Sequence, residues 1–311
     1  MKFKDFIKDS GESIASLSKK INIPYATLNE GIKNSSQMKI ENLVKLSKYF
    51  GITLDEVYSM IVNNQMTFLD ILRDQLDSKL KGNIYHDTQI KFAYNTNRIE
   101  GSKLSYEQTR LIFETNTIGS DKDLNTDDIV ETANSFFLFD QMLLKADQYL
   151  SIEMVLEFHK ILKNGTNDSR KSWFRVGEFK SLPNEVGGME TTPPKEVEVA
   201  MGNLFNWYYS LKTVTFSNII EFHYRFEKIH PFQDGNGRIG RIILFKECLM
   251  HNIIPFIIED DVKSYYYRGL TNFTDERGYL LDTCLSMQDK YLMRIRHYLG
   301  EAISVNELFG L

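Results

Sequence analysis

Between positions 230 and 241 the sequence reads HPFQDGNGRIGR, and nearly every residue type in that run has a separate use around a triphosphate. Gly235, Asn236 and Gly237 offer backbone N–H groups that can close on an anion, since glycine accepts the required dihedrals and adds no Cβ. The apolar spacing that follows (Ile239, Ile242, Ile243, Phe245, Leu249) predicts a helix beginning inside this loop. Its unpaired first amides and positive dipole end would face the phosphates. Arg238 and Arg241 are three apart, so they share one face of the first turn and can grip different phosphates. Asp234 places a hard carboxylate where a magnesium ion would sit between phosphates. His230 is the one group of the run that takes a proton near neutral pH. An ordinary glycine-rich helix cap with solvated arginines would explain the glycines, but neither the Asn between them nor the preceding His-Pro-Phe.

The run resembles the core motif of the Fic family, HPFx(D/E)GNGRxxR, with every fixed position present from His230, Pro231 and Phe232 through Arg241. The resemblance implies a Fic helical core and a protein adenylyltransferase that moves AMP from ATP to a Ser, Thr or Tyr hydroxyl of a target protein, itself included. By that resemblance His230 is the general base and Asp234 holds Mg2+. The Gly235 and Gly237 amides, with Asn236 and Arg238, take the α- and β-phosphates, and Arg241 takes the γ-phosphate. Thr96-Asn97-Arg98-Ile99-Glu100-Gly101 matches the inhibitory pattern (S/T)xxxE(G/N). In that reading Glu100, in the last turn of its helix, reaches Arg241, and Thr96 lies on the same helix face. One more surface carboxylate near a helix end is the plainer alternative for Glu100.

Two further features carry the same resemblance. Trp173–Pro194 is short, β-prone and cut by Pro183 and Gly187-Gly188, and reads as a hairpin or extended flap. In the family such a flap lines up an extended piece of target by backbone pairing, which makes Phe179, Lys180, Ser181 and Leu182 the expected docking edge. A hairpin that only covers the core is the alternative. Tyr266, within Tyr265-Tyr266-Tyr267, would by resemblance lie near the adenine, although tyrosines at helical spacing equally pack a core. Other family chemistries stay open, among them removal of AMP with Glu100 positioning a water, or transfer of phosphoryl and other groups. The phosphorylating type has Lys at the second motif glycine and lacks the last arginine, unlike Gly237 and Arg241 here. A different class of function is a DNA-binding transcriptional regulator whose core senses nucleotide.

The elements that must position these residues are predominantly helical. Apolar spacing predicts helices near Met66–Leu80, Asp87–Glu100, Tyr106–Glu114, Asp127–Asp147, Ile152–Leu162, Val197–Leu211, Ser217–Lys228, Asn236–Met250, Ser264–Asn272 and Met287–Leu299. The expected fold class is all-α with one short β flap, organised as residues 1–62, a connecting helix over 63–82, and a domain over 83–311.

The first sixty residues differ in kind. Ser13–Ile21, Tyr25–Lys33 and Ile40–Phe50 are short amphipathic segments, joined first by Ile21-Asn22-Ile23-Pro24 and closed by a turn through Val57. This pattern resembles a helix-turn-helix of the lambda-repressor type. Through Lys48 the segment has nine lysines against five carboxylates, a net of +4 on a chain whose total is −5. A basic module on an acidic body suits phosphate contact. Tyr25, Thr27 and Asn29 would then read base edges, with a dimer on DNA as the usual arrangement. A small bundle used for protein docking is the alternative.

At 311 residues the chain holds more than one domain, and 42% hydrophobic content is ample for a core. Its two cysteines, Cys248 and Cys284, sit in apolar helical patterns and are expected as reduced core thiols. No signal-like or membrane-length apolar segment is visible, so no membrane association and a cytoplasmic location are expected.

Overall fold

The computed structural model describes residues 3–33, 37–62, 66–119, 123–186, 189–300 and 305–309. The chain divides into two compact units, Met1–Ile71 with Ser304–Leu311, and Leu72–Ile303. The division falls inside the expected connecting helix, and the last eight residues group with the N-terminal unit and not with the long domain expected over 83–311.

The first unit contains α1 (Phe3–Asp9), α2 (Ile14–Lys20), α3 (Tyr25–Lys33), α4 (Ile40–Phe50) and α5 (Leu54–Val62). Ser13 caps α2 by accepting from the Ser16 amide, and Ile21 closes it before Pro24 opens the next helix. Gly51 ends α4 at φ 67, the left-handed region glycine tolerates best. Leu17, Leu28, Leu46, Val57 and Ile61 meet in one core together with Phe3 and Ile7 of α1. That first helix lacks the turn signals that flag the others and is not legible as a separate element. Tyr25 and Thr27 are exposed at the start of α3, whereas Asn29 is half-buried. Lys20 is tied to Glu12, which also accepts from the Tyr49 hydroxyl, so among the basic residues of α2 Lys19 is the more available.

Helix α6 (Phe68–Ser78) precedes the second unit's α7 (Ile84–Ile99), α8 (Tyr106–Thr115), α9 (Thr126–Leu144), α10 (Ile152–Lys163), α11 (Val197–Tyr209), α12 (Phe216–Ile229), α13 (Asn236–Met250), α14 (Lys263–Thr271) and α15 (Gly278–Leu299). A short α16 (Val305–Phe309) completes the chain's helices among the described residues. Helix α13 is buried nearly along its whole length, its charged Arg238, Arg241, Lys246 and Glu247 included, which marks it as the central element. Helices α7, α9, α10 and α12 pack directly on it. Two buried charges within it are satisfied as a pair, with Lys246 Nζ 2.8 Å from Glu247 and the Tyr208 hydroxyl donating to the other Glu247 oxygen at 2.7 Å.

Helix α15 starts nine residues before the expected Met287. Leu280, Cys284, Met287, Tyr291 and Ile295 form one buried stripe down it. Cys248 and Cys284 are free and buried, and burial raises both thiols. Over Trp173–Pro194 the backbone is mostly irregular. Its only ladder among the described residues pairs β1 (Glu185–Val186) with β2 (Met189–Glu190), antiparallel, Glu185 opposite Glu190. Gly187 and Gly188 lie outside the described residues.

Candidate active site

The loop from His230 to Gly235 joins α12 to α13. His230 closes α12 in the left-handed region, φ 51, which turns the chain sharply into Pro231. Phe232 is buried beneath the loop and stacks on His159 of α10, ring centroids 3.9 Å apart and 4° from parallel. The Asn236 side chain closes the loop from both ends: its Oδ1 accepts from the Phe232 amide, and its Nδ2 donates to the Phe232 carbonyl, each at 2.8 Å. Both ends of the side chain are thus spent on the backbone, and the expected main-chain amide of Asn236 remains at the helix start. Gly235 sits at φ 86 with Leu162 3.3 Å from where a Cβ would stand, so the position needs glycine.

His159 fixes the loop from below. The Gly177 amide donates to its Nδ1 at 2.9 Å, so Nε2 carries the hydrogen and donates to the Asp234 carbonyl at 3.1 Å. Burial pushes this imidazole down to about 3, keeping it neutral. One ring thereby holds the start of the flap and the mouth of the loop together.

Arg238 and Arg241 leave the first turn of α13 toward different carboxylates. Arg241 Nε donates to Thr96 Oγ1 at 2.9 Å, and its Nη2 donates both to the Thr96 carbonyl at 3.0 Å and to Glu100 Oε1 at 2.6 Å. Glu100 caps α7 just past its last helical residue, Ile99, rather than lying within the last turn. Its carboxylate stands over Gly237: a Cβ there would come within 2.3 Å of Glu100 Oε1. Burial alone would raise this carboxyl, but Arg241 and Arg238 outweigh it and hold it ionised below the ordinary range. Thr96, Glu100, Gly237 and Arg241 are thus brought together by α7 and α13.

Arg238 pairs with Glu131 of α9 and with Asp234 at 3.0 Å, and its Nε is buried without a partner. Lys163 at the end of α10 is 1% exposed; it contacts Glu131, and its Nζ lies 2.6 Å from Asp234 Oδ2 and 3.4 Å from Asp168. Burial works against ionising Asp234, yet Arg238 and Lys163 hold its carboxyl far below the usual range. Glu131, Lys163 and His159 carry no motif of their own. The signal for the last two is their place on the buried face of α10, where Val155, His159 and Lys163 follow at four-residue steps. An open polar cavity of about 290 Å3 is lined by Glu100, Glu131, Lys163, Asp168, Asp234 and Arg238. Its size matches a small-molecule site.

His230 is half-buried. Its Nδ1 lies 3.4 Å from the Glu227 carbonyl, and burial pushes the imidazole down to about 4, so it is a neutral base at physiological pH. Tyr266 is fully buried, and its hydroxyl lies 2.6 Å from His223 Nε2, so it cannot stack on an adenine. Its half-exposed neighbours in the Tyr265-Tyr266-Tyr267 run are the surface aromatics.

The flap side is also corrected in part. Lys180 is buried at 4% exposure; its amide donates to the Pro231 carbonyl at 2.8 Å and its ammonium to Asn184 and Thr191, so it belongs to the inner edge. Burial pushes that amine down to about 8. The Leu182 amide is likewise used, by the Gln233 side chain at 3.2 Å. Phe179 is half-buried against Phe232, and the Ser181 hydroxyl donates to the Trp173 carbonyl.

Residues 149–247 match the Fic/DOC family. The chain carries a Fic domain. Residues 2–62 match the Cro/C1-type HTH DNA-binding domain, in agreement with the helices of the first unit. This chain is 27% identical over 201 residues to protein adenylyltransferase fic-1 of Caenorhabditis elegans, covering 62% of this chain and 39% of that protein. It is 27% identical over 224 residues to protein adenylyltransferase Fic of Nematostella vectensis, covering 68% of this chain and 51% of that one. The chain therefore spans about half or less of the length of these relatives. Among solved structures, a Fic domain containing signaling protein from Bacteroides thetaiotaomicron is similar at TM-score 0.62 and 23% identity, over 76% of this chain and 98% of that one. Fic-1 (aa134–508) from C. elegans is similar at TM-score 0.54 and 19% identity, over 95% and 87% respectively. These likenesses establish an all-α Fic fold.

Proposed function

We propose that this chain is a protein adenylyltransferase held off by its own Glu100, with DNA contact through the N-terminal helix-turn-helix. The observation that carries the reading is the Glu100–Arg241 pair at 2.6 Å, placed directly over Gly237 at the start of α13. A carboxylate bonded there occupies the place a terminal phosphate needs and neutralises the arginine that would hold it. The anion cradle is built, and it is filled from within.

In the reaction, the hydroxyl oxygen of a target Ser, Thr or Tyr attacks the α-phosphorus of ATP. The bond to the bridging oxygen breaks and pyrophosphate leaves, while the hydroxyl proton passes to His230 Nε2. The amides opening α13 and the Arg238 guanidinium stabilise the charge, and Arg241, once released by Glu100, orients the γ-phosphate. Asp234 suits a magnesium ion bound mainly by phosphates, since such sites use one or two carboxylates and substrate oxygens. The ion would draw charge from the phosphates. For it to bind, the hold of Lys163 and Arg238 on Asp234 must loosen.

Labelled ATP, given to the wild type and to Glu100→Gly, tests the proposal. Label on protein that rises in the variant supports it. No label in either, with ATP bound, favours a nucleotide-sensing DNA regulator instead.

A further inference from the structure

His223, Glu227 and His230 follow one another along the buried side of α12. His223 Nε2 is taken by the Tyr266 hydroxyl at 2.6 Å, but its Nδ1 is buried with no partner. Glu227 Oε1 is also buried without a partner, and these two atoms lie 4.0 Å apart. The other Glu227 oxygen lies 4.0 Å from His230 Nδ1, whose present contact, the Glu227 carbonyl, is long at 3.4 Å. Buried polar atoms in folded proteins are almost always paired. Here two unpaired atoms face each other, and the carboxyl between the two imidazoles is about one ångström short of bonding to either. The space around them is kept open by α13. A Cβ at Gly240 would stand 2.4 Å from Glu227 Oε1 and 2.9 Å from His223 Nδ1. A site that only needed filling would have no use for a glycine there.

We propose that Glu227 is a positioning residue for His230, closing onto its Nδ1–H when the site engages substrate. That bond fixes the tautomer that leaves Nε2 free to accept the hydroxyl proton. When the carboxyl is ionised it also stabilises the imidazolium as it forms, and the hydroxyl proton stays on His230. The inference deepens the reading of His230 as general base and rests on it.

Burial pushes the Glu227 carboxyl up to about 8, with Arg241 of α13 lowering it and Glu100 at the end of α7 raising it. His223 and His230 face it from its own helix, and Tyr266 and Tyr267 from α14. The sign follows directly. Below about 8 the carboxyl is neutral and His230 gains only a hydrogen bond; above it, the carboxylate raises the basicity of His230.

Ring 15N and 13C shifts of His230 in the whole protein without nucleotide, followed across this range, test the inference. Wild type should show an inflection at His230 near the Glu227 midpoint, moving to lower pH in Glu100→Gly because a repelling carboxylate is gone, and vanishing in Glu227→Gln. In the Glu100→Gly background, Glu227→Gln should cut the turnover number at least about tenfold with KM for ATP little changed. A His230 signal that is flat in the wild type, or the same in Glu227→Gln, overturns the inference. If Glu227→Gln does not fold, the wild-type titration decides alone. A clear Glu227-linked step in a protein that never transfers AMP would instead refute the transferase reading.

Discussion

At the scale of single residues, the proposed self-inhibition rests on one contact: the Glu100 carboxylate on Arg241. Removing it should free Arg241 while leaving Thr96 as a neutral support, so Glu100→Gly is expected to raise self-labelling by roughly ten- to a hundredfold. Equal labelling by wild type and variant, with equal ATP binding, would remove Glu100 from that role. In the same background His230→Ala should lose about a hundredfold or more in rate while ATP still binds, since the cradle of α13 is untouched. The pH dependence has a definite sign. A base whose conjugate acid ionises near 4 loses activity only as pH falls toward that value, because protonation there fills Nε2. Transfer should therefore hold steady across about pH 6 to 7, and a steep acid limb centred near 6 would mean that His230 is far less buried in the working state.

At the scale of elements, the motif was legible and its supports were not. HPFQDGNGRIGR announces itself because its residue types are unusual together, and the helix expected over Asn236–Met250 is the one found. The Thr96–Glu100 spacing likewise places both side chains on Arg241. His159 and Lys163 lie at four-residue steps of a helix that otherwise reads as core, where a charged or ring-nitrogen side chain on an apolar stripe is the only trace, and Glu131 leaves none. Tyr266 and Lys180 failed for the converse reason: a residue type suited to a ligand was already spent on an internal hydrogen bond. The flap shows how a support can be tested. Gly177 lies at φ 75 with its amide on His159, and a Cβ there would meet Lys160 Cβ at 2.9 Å. Gly177→Ala is expected to cost about 1–3 kcal/mol and to lower the unfolding temperature, since both backbone strain and the collision must be absorbed. A thermal melt unchanged from wild type would mean that the flap entry rearranges freely and does not fix the loop.

At the scale of the whole molecule, the question is what an N-terminal Cro/C1-type helix-turn-helix contributes to a Fic domain. The first unit carries a net +4 through Lys48, which Asp55, Glu56, Asp70 and Glu307 offset over its remainder, and its α3 presents Tyr25 and Thr27 outward with Asn29 half-buried. Lys19 is exposed, whereas Lys20 is neutralised by Glu12. Those facts divide the contacts into two kinds. In the proposed DNA contact Thr27 and Asn29 would read bases, so Thr27→Ala or Asn29→Ala should erase preference among sequences while leaving weak general binding. Lys19 would contact phosphate in the same proposal, so Lys19→Ala should weaken binding to every sequence alike and reduce the slope of log affinity against log salt by about one. Lys20→Ala should do markedly less, because its charge is already spent. Single modules of this kind bind weakly, and pairing across half-sites is the usual remedy, so a dimer on DNA is expected. A mobility-shift titration at low salt decides it, using the region upstream of the protein's own coding sequence against random duplex. Binding with no preference between the two, unaltered by Lys19→Ala and Asn29→Ala, would make the first unit a protein-docking module, and the coupling to be sought would then lie between the Fic domain and a protein partner.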